Sequence, residues 1–424
     1  MMREVRPTRG LGPGVHPPPG ARTPALVDVD AGADGRMRAL RALVVGAGGI
    51  GGRIAQLLAA AGVRELTIVD SAEVKPESLL THDVEARDVG RPKAAVVGRR
   101  AGDLAPHTRV RYACRPFQDL PLAALADVDV VLLASDNLAA ELAVGEACRR
   151  HGLPLIQAAL YGPTLTAEVR SLSNQDDAGP CLACAWAEAD WERLDRGTRF
   201  ACVGGDGLGG GHLASSVRDA TRAPAPLRSA APTRTTSELC AMAAALAVSE
   251  LRRRTLSAGS DGLAAPDRSL EWSGHRMATV ESPLRRAPRC AADHARWRWA
   301  PHVDLGAATP LELLRAVGAA VSDLASASLR LEGHTFALLA RCACGRLSRE
   351  HTFLAREAPR CDACGTGLIA AGAAWREAPL DALDPALTRS LRASGALAPS
   401  TAVLCSAAAP PTAFFEDLNP ERLR

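Results

Sequence analysis

The run Gly46-Ala47-Gly48-Gly49-Ile50-Gly51 follows the apolar stretch Ala42–Val45 and opens a helical pattern. Glycines at such a turn let backbone amides approach a phosphate that a side chain would block, at the positive end of a helix dipole. Asp70 closes the next strand, nineteen residues beyond Gly51, where a carboxylate can accept both hydrogen bonds of a ribose diol. Together they read as a nucleotide site; the alternative is a glycine turn kept only for tight strand–helix packing. Lys93, at the end of Asp88-Val89-Gly90-Arg91-Pro92-Lys93, starts a helix from which its ammonium can reach phosphates. Asp136, in Ala134-Ser135-Asp136-Asn137, ends a central strand on the edge where ligands bind in such folds, and a carboxylate there can hold magnesium. Taken singly, Lys93 or Asp136 reads as a solvated helix-start residue; in this order and spacing the balance shifts to the site.

Cysteines supply the second chemistry. Six of the twelve stand in close pairs, a spacing that suits one metal ion better than disulfides closing long loops. Cys181-Leu182-Ala183-Cys184 lies behind a glycine-proline turn as a single knuckle. Cys342-Ala343-Cys344 and Cys361-Asp362-Ala363-Cys364, separated by sixteen residues, are each followed by a glycine that can turn amides toward the sulfurs. Four thiolates so placed predict a zinc ribbon at about 340–368, structural because four cysteines close the coordination shell. Free thiols or a redox pair are the alternative.

The elements that must position these residues are local in the sequence. Strand, glycine turn, helix (Ile50–Ala61) and strand (Leu66–Asp70) are followed by a helix from Lys93 and a strand at Arg109–Tyr112. A buried-type strand Val128–Ala134, a helix Leu138–Arg150 and a strand Leu155–Ala159 continue the alternation. Such an order predicts an α/β fold with a parallel, doubly wound, Rossmann-like sheet. A helix at Ser237–Arg254 and short strands near Ser269–Trp272 and Met277–Val280 complete a domain at 37–300, with a Gly-, Ala- and Pro-rich crossover loop at about 197–235. Residues 1–36, with Pro17-Pro18-Pro19, read as a disordered tail, and 301–424 as a smaller module with a strand at Thr401–Leu404.

Composition narrows the classes. Fifty basic and 47 acidic residues leave a net charge of +3, so no field argues for nucleic acid or a membrane surface as partner. The most apolar stretch, Ala42–Val63, is broken by six glycines, which excludes it as a membrane span or signal peptide; a reducing, cytoplasmic location is expected.

Gly46–Gly51, Asp70, Asp88–Lys93 and Ser135-Asp136-Asn137 together resemble the adenylation domain of the ThiF/MoeB/ubiquitin-activating superfamily over about residues 39–300. The resemblance implies ATP on Gly46, Gly48, Gly49, Gly51 and Asp70, phosphate contact by Lys93, and Mg2+ at Asp136, with Asn137 beside it. It implies activation of the C-terminal carboxylate of a ubiquitin-like or sulfur-carrier protein, in a homodimer, with a conjugating enzyme or sulfurtransferase as further partner. A small peptide precursor is the alternative substrate, and a degenerate scaffold the alternative role. In the family Cys181 and Cys184 pair with a second cysteine pair; Cys290-Ala291-Ala292-Asp293-His294 stands there, so Cys290 and His294 complete a Cys3His zinc site, or His294 is merely an exposed histidine. Cys202, in Phe200-Ala201-Cys202-Val203, falls where relatives carry a thioester or persulfide cysteine, and equally reads as a small buried residue. Two family stretches are missing. Ser78-Leu79-Leu80-Thr81-His82 replaces Asn-x-x-Arg-Gln, leaving Arg53, Arg87 and His82 to stand in for its arginine, and Arg36, Arg38 or Arg41 must substitute for an arginine ahead of the first strand.

Overall fold

The computed structural model describes residues 2–5, 31–195, 235–257, 266–300, 303–319, 321–355, 360–396, 401–406 and 409–415. The chain divides into two compact units, Met1–Asp119 with Val128–His294, and Leu120–Asp127 with Ala295–Arg424. No helix among the described residues is long and apolar enough to cross a membrane.

In the first unit, β1 (Arg3–Glu4), α1 (Ala31–Ala39), β2 (Arg41–Val45), α2 (Gly49–Ala60), β3 (Glu65–Val69), α3 (Lys93–Leu104) and β4 (Arg109–Ala113) come first. β5 (Val130–Leu133), α4 (Leu138–His151), β6 (Leu155–Tyr161), β7 (Thr166–Leu172), α5 (Glu188–Asp195), α6 (Ser237–Ser257), β8 (Arg268–Ser273) and β9 (Ala278–Pro283) follow. The strands form one sheet in the order β1-β4-β3-β2-β5-β6-β7-β8-β9. Its centre, β4-β3-β2-β5-β6, is parallel. Apolar runs such as Ala42-Leu43-Val44-Val45 are buried throughout, as strands covered on both faces must be.

Strand order reverses between β2 and β5, so the glycine run after β2 and Asp136 after β5 leave the sheet side by side at the crevice where open α/β sheets bind ligands. Beyond β6 the expected parallel sheet becomes mixed: β7, β8 and β9 are antiparallel. α6 lies over this sheet with Ala243, Ala244, Ala247 and Leu251 fully buried.

Parts of the segment read as a tail are ordered. Arg3–Glu4 pair antiparallel with Tyr112 and Arg111 through backbone bonds, which need no particular side chains. Val5 packs where a Cβ on Gly102 of α3 would stand 3.0 Å away, and Arg36 of α1 donates to the Thr255 carbonyl at 2.7 Å.

The second unit holds β10 (Arg298–Ala300), α7 (Pro310–Ala316), β11 (Ala327–Leu331), β12 (His334–Arg341), β13 (Ser348–Ala355), β14 (Ile369–Ala370), β15 (Ala374–Trp375), β16 (Ala378–Pro379), β17 (Thr401–Ser406) and β18 (Ala409–Phe415). One sheet runs β10-β18-β17-β11-β16; a second is built on β12, flanked by β13, β14 and β15. α7 starts at a capping box, Thr309 with Glu312, and Pro310 is its first residue. Leu313, Leu329, Leu331, Phe336, Leu380 and Phe414 share its core.

Candidate functional site

The glycine turn leaves no room for side chains. Gly46 has φ +92°, and a Cβ there would stand 2.5 Å from the Ala134 carbonyl oxygen; one on Gly51 would overlap the Gly46 carbonyl. The β2–α2 turn is therefore closed against both its own helix and the end of β5. Helix α2 begins at Gly49 with neither a side-chain cap nor an acid in its first turn. Its first amides are the kind of unpaired donors that hold an anion at a helix start.

Asp70 lies at the end of β3 and points back at this turn: one carboxylate oxygen accepts from the Ala47 amide at 2.6 Å, the other from the Ala72 amide at 2.6 Å. Each oxygen keeps a further lone pair. Lys93 is the first residue of α3, its amide bound to the Ala72 carbonyl, so the same short segment anchors both. Asp136 is open to solvent on one side, but protein mass around it dehydrates its carboxyl and raises it; Lys93 counters the rise and Asp70 adds to it. Lys93 and Asp70 thus both act on the Asp136 carboxyl. Asn137 beside it spends its side-chain oxygen as the N-cap of α4, accepting from the Ala140 amide at 3.2 Å.

A polar group that sequence reasoning missed extends from this crevice. Glu141, in the first turn of α4, is buried and accepts from the Gln157 side-chain amide at 2.8 Å. Burial pushes its carboxyl up to about 7, against the opposing pull of Gln157 and Arg170. Arg170 in turn donates to Gln157 at 3.5 Å and grips Glu168 through two bonds of 2.8 and 3.1 Å. The available signal was Gln157, a lone polar residue inside the apolar strand Leu155-Ile156-Gln157-Ala158-Ala159.

The stand-ins for the missing arginines separate clearly. Arg53 donates to the carbonyls of Gly49 (2.6 Å) and Thr81 (2.8 Å) and to the Ser237 hydroxyl (2.6 Å), tying α2 to the 81–82 loop and to α6. Arg87 is exposed and paired with Glu85 at 3.0 Å. Arg41 pairs with Asp129, and Arg36 donates to the Thr255 carbonyl. His82 also faces the glycine turn: its Nε2 stands 3.6 Å from where a Gly48 Cβ would be, and among the described residues that nitrogen is buried without a hydrogen-bond partner.

Both metal candidates assemble. In the first unit Cys181 and Cys184 sulfurs lie 3.7 Å apart, Cys181 and Cys290 3.6 Å, and Cys184 Sγ lies 3.6 Å from His294 Nε2. In the second, Cys342 and Cys344 are 3.5 Å apart and Cys344 and Cys361 3.8 Å, with Cys364 completing the four. A tetrahedron with metal–sulfur arms of about 2.3 Å has edges of about 3.8 Å, so both clusters have the dimensions of a zinc site. Gly345 and Gly365 adopt φ +73° and +69°, and the Leu347 amide donates to Cys342 Sγ at 3.2 Å. Arg149, fully buried, holds the first cluster to its surroundings by donating to the carbonyls of Asp176, Asp177 and His294. Cys240 is buried in α6 beside Gly49. Cys202 lies outside the described residues.

A parallel doubly wound core, a glycine turn at its reversal point, a strand-end acid and a four-ligand cluster make this an α/β protein with a candidate nucleotide site and a candidate metal knuckle. The chain belongs to the ThiF family, whose sequence profile matches residues 22–295. It is 36% identical over 157 residues to the SAMP-activating enzyme E1 of Haloferax volcanii, covering 37% of this chain and 56% of that one. Against the sulfur carrier protein adenylyltransferase of Thermus thermophilus identity is 35% over 167 residues, 36% of this chain and 58% of the relative. Against the sulfur carrier protein ThiS adenylyltransferase of Escherichia coli it is 30% over 184 residues, 42% and 71%. The chain thus spans a little over half the length of the first two relatives, and the second unit, from Ala295 on, lies almost wholly beyond the family match.

Proposed function

We propose that this chain activates the C-terminal carboxylate of a ubiquitin-like or sulfur-carrier protein by adenylation with ATP. One observation supports the reading: the glycine turn, Asp70 and Asp136 follow the adjacent parallel strands β2, β3 and β5 on one edge of the sheet, and Lys93 is joined to the Asp70 segment through the Ala72 carbonyl. Relatives named as activating enzymes and adenylyltransferases support the substrate class.

In this reading a carboxylate oxygen of the partner attacks the α-phosphorus, the bond from that phosphorus to the bridging oxygen breaks, and pyrophosphate leaves. The chemistry needs positioning and charge neutralisation more than proton transfer. Amides of Gly48 and Gly49 at the start of α2 hold phosphate oxygens, with Gly46 and Gly51 keeping the turn closed; Asp70 uses its remaining lone pairs on the ribose, and Lys93 neutralises phosphate charge. Asp136 suits a magnesium ion: it is an open, hard oxygen donor in no ion pair among the described residues, facing a nucleotide site. Bound there, magnesium would neutralise charge on the triphosphate. Asn137 contributes by fixing the start of α4 beside Asp136. Zinc in Cys181, Cys184, Cys290 and His294, and in Cys342, Cys344, Cys361 and Cys364, is structural in this reading. Cys202 is the candidate acceptor for a later thioester or persulfide step with a conjugating enzyme or sulfurtransferase. The working form is a cytoplasmic homodimer.

The test is ATP–pyrophosphate exchange driven by a small carrier ending in Gly-Gly, with a short peptide as the competing substrate. Exchange is expected with the carrier and lost in Asp136→Ala; none in the wild type, or full exchange in the variant, refutes the reading. A specific observation favours a second one: Arg53, Arg36 and Arg41 are all committed to structural bonds, as in a scaffold that keeps the pocket without turnover. A scaffold would bind its partner and show no exchange.

A further inference from the structure

Resting on the nucleotide reading above, we propose that His82 is a nucleotide-binding residue, its Nε2–H donating to a phosphate oxygen of the molecule held over Gly48. The loop carrying it is built to aim the ring. Ser78 is buried, its hydroxyl accepts from the Lys75 amide at 3.1 Å, and its carbonyl accepts from the amides of Thr81 and His82 at 3.2 and 2.8 Å. The Thr81 carbonyl is clasped by Arg53 at 2.8 Å and lies 3.1 Å from where a Gly49 Cβ would stand. The loop is thereby fixed to the first turn of α2.

Within this frame the ring has one satisfied nitrogen and one vacant one. Nδ1 is paired with the Thr81 hydroxyl at 3.0 Å; Nε2 is buried, has no partner among the described residues, and faces Gly48. A buried polar nitrogen left unpaired costs about 1–3 kcal/mol, and such a group persists in a fold when something other than the chain satisfies it. The surroundings also fix its charge. Burial, then Lys93, then Arg53 push the ring down to about 4, so at neutral pH it is an uncharged imidazole. An anion at the glycine turn selects the tautomer with hydrogen on Nε2, and the Thr81 hydroxyl, free to rotate, then donates to Nδ1. His82 supplies a directed hydrogen bond, while Lys93 supplies the charge.

The experiment compares ATP, AMP and adenosine binding by calorimetry on the full zinc-loaded chain, wild type against His82→Ala, His82→Gln and His82→Arg. A hydrogen bond to a charged phosphate corresponds to about a 10- to 100-fold loss of ATP affinity in His82→Ala, with adenosine binding, melting temperature and zinc content unchanged. Gln, which offers an N–H at a similar reach, should recover part of the loss, and Arg should match or exceed the wild type. Equal ATP affinity in His82→Ala, or a parallel loss of ATP and adenosine, overturns the assignment while leaving the nucleotide site standing. A wild type that binds none of the three overturns both.

Discussion

Alanine at Gly51 would set its methyl carbon 2.9 Å from the Gly46 carbonyl carbon, overlapping that carbonyl's oxygen, and 3.3 Å from Ala134 Cβ. Carbons rest at about 3.5–4.0 Å, so α2 or the turn before it must retreat by about 1 Å. Overpacking costs about 1–3 kcal/mol when side chains can move aside, and here the obstacle is backbone, which places the loss at the upper end. For a unit of this size about 3 kcal/mol lowers the melting temperature by about 5 °C. The neighbouring Gly52 is the internal control: its added Cβ meets only Val97 Cγ2, at 3.4 Å, and alanine gains up to about 1 kcal/mol of helix propensity. Thermal melting of both variants, with ATP titration on the same samples, should show Gly51→Ala destabilised and at least 100-fold weaker for ATP, and Gly52→Ala close to wild type in both. A Gly51→Ala variant that melts and binds like the wild type would refute the close-approach argument.

Glu141 titrates in the fold near 7 instead of 4.5, so the folded chain holds a proton that the unfolded chain releases between those values. Stability from this group is present below about 4.5 and declines by about 3 kcal/mol as pH rises to 7. Denaturant unfolding across that range should show the decline in wild type and lack it in Glu141→Gln; parallel profiles would remove Glu141 as its source. Arg149→Met removes three hydrogen bonds made by a fully buried guanidinium, which predicts a loss of about 1–3 kcal/mol and faster zinc release to a chromogenic chelator, because His294 is one of the tethered residues. Elemental analysis of the purified chain should find two zinc ions per chain, falling to one in the double variant Cys344→Ser with Cys364→Ser; a single ion in the wild type contradicts a second site.

The parallel half of the sheet was legible because its signals are local. Apolar runs, the glycine turn and the helix starting at Lys93 each declare themselves within a dozen residues, and observed bounds such as Gly49–Ala60 and Leu138–His151 differ from the expected ones by one residue. β7 was not, because Thr166-Ala167-Glu168-Val169-Arg170-Ser171-Leu172 mixes charge into a strand, and the charges are tolerable only once Glu168 and Arg170 grip each other. The β10–β18 pairing, Arg298 with Thr412, joins segments more than a hundred residues apart and leaves no local trace. At the site, type and spacing singled out the acids, the lysine and the knuckles, whereas the choice among Arg53, Arg87 and His82 needed three dimensions, since nothing in the sequence says which side chain is already committed elsewhere.

Asp70 grips the Ala47 and Ala72 amides, one with each carboxylate oxygen. Those two bonds tie the end of β3 to the glycine turn on one side and to the segment that leads into α3 on the other. This double duty makes Asp70 a treacherous target for mutation: removing it would slacken the turn and, on the proposed reading, withdraw a sugar contact together, and a measured defect could not be assigned to either alone.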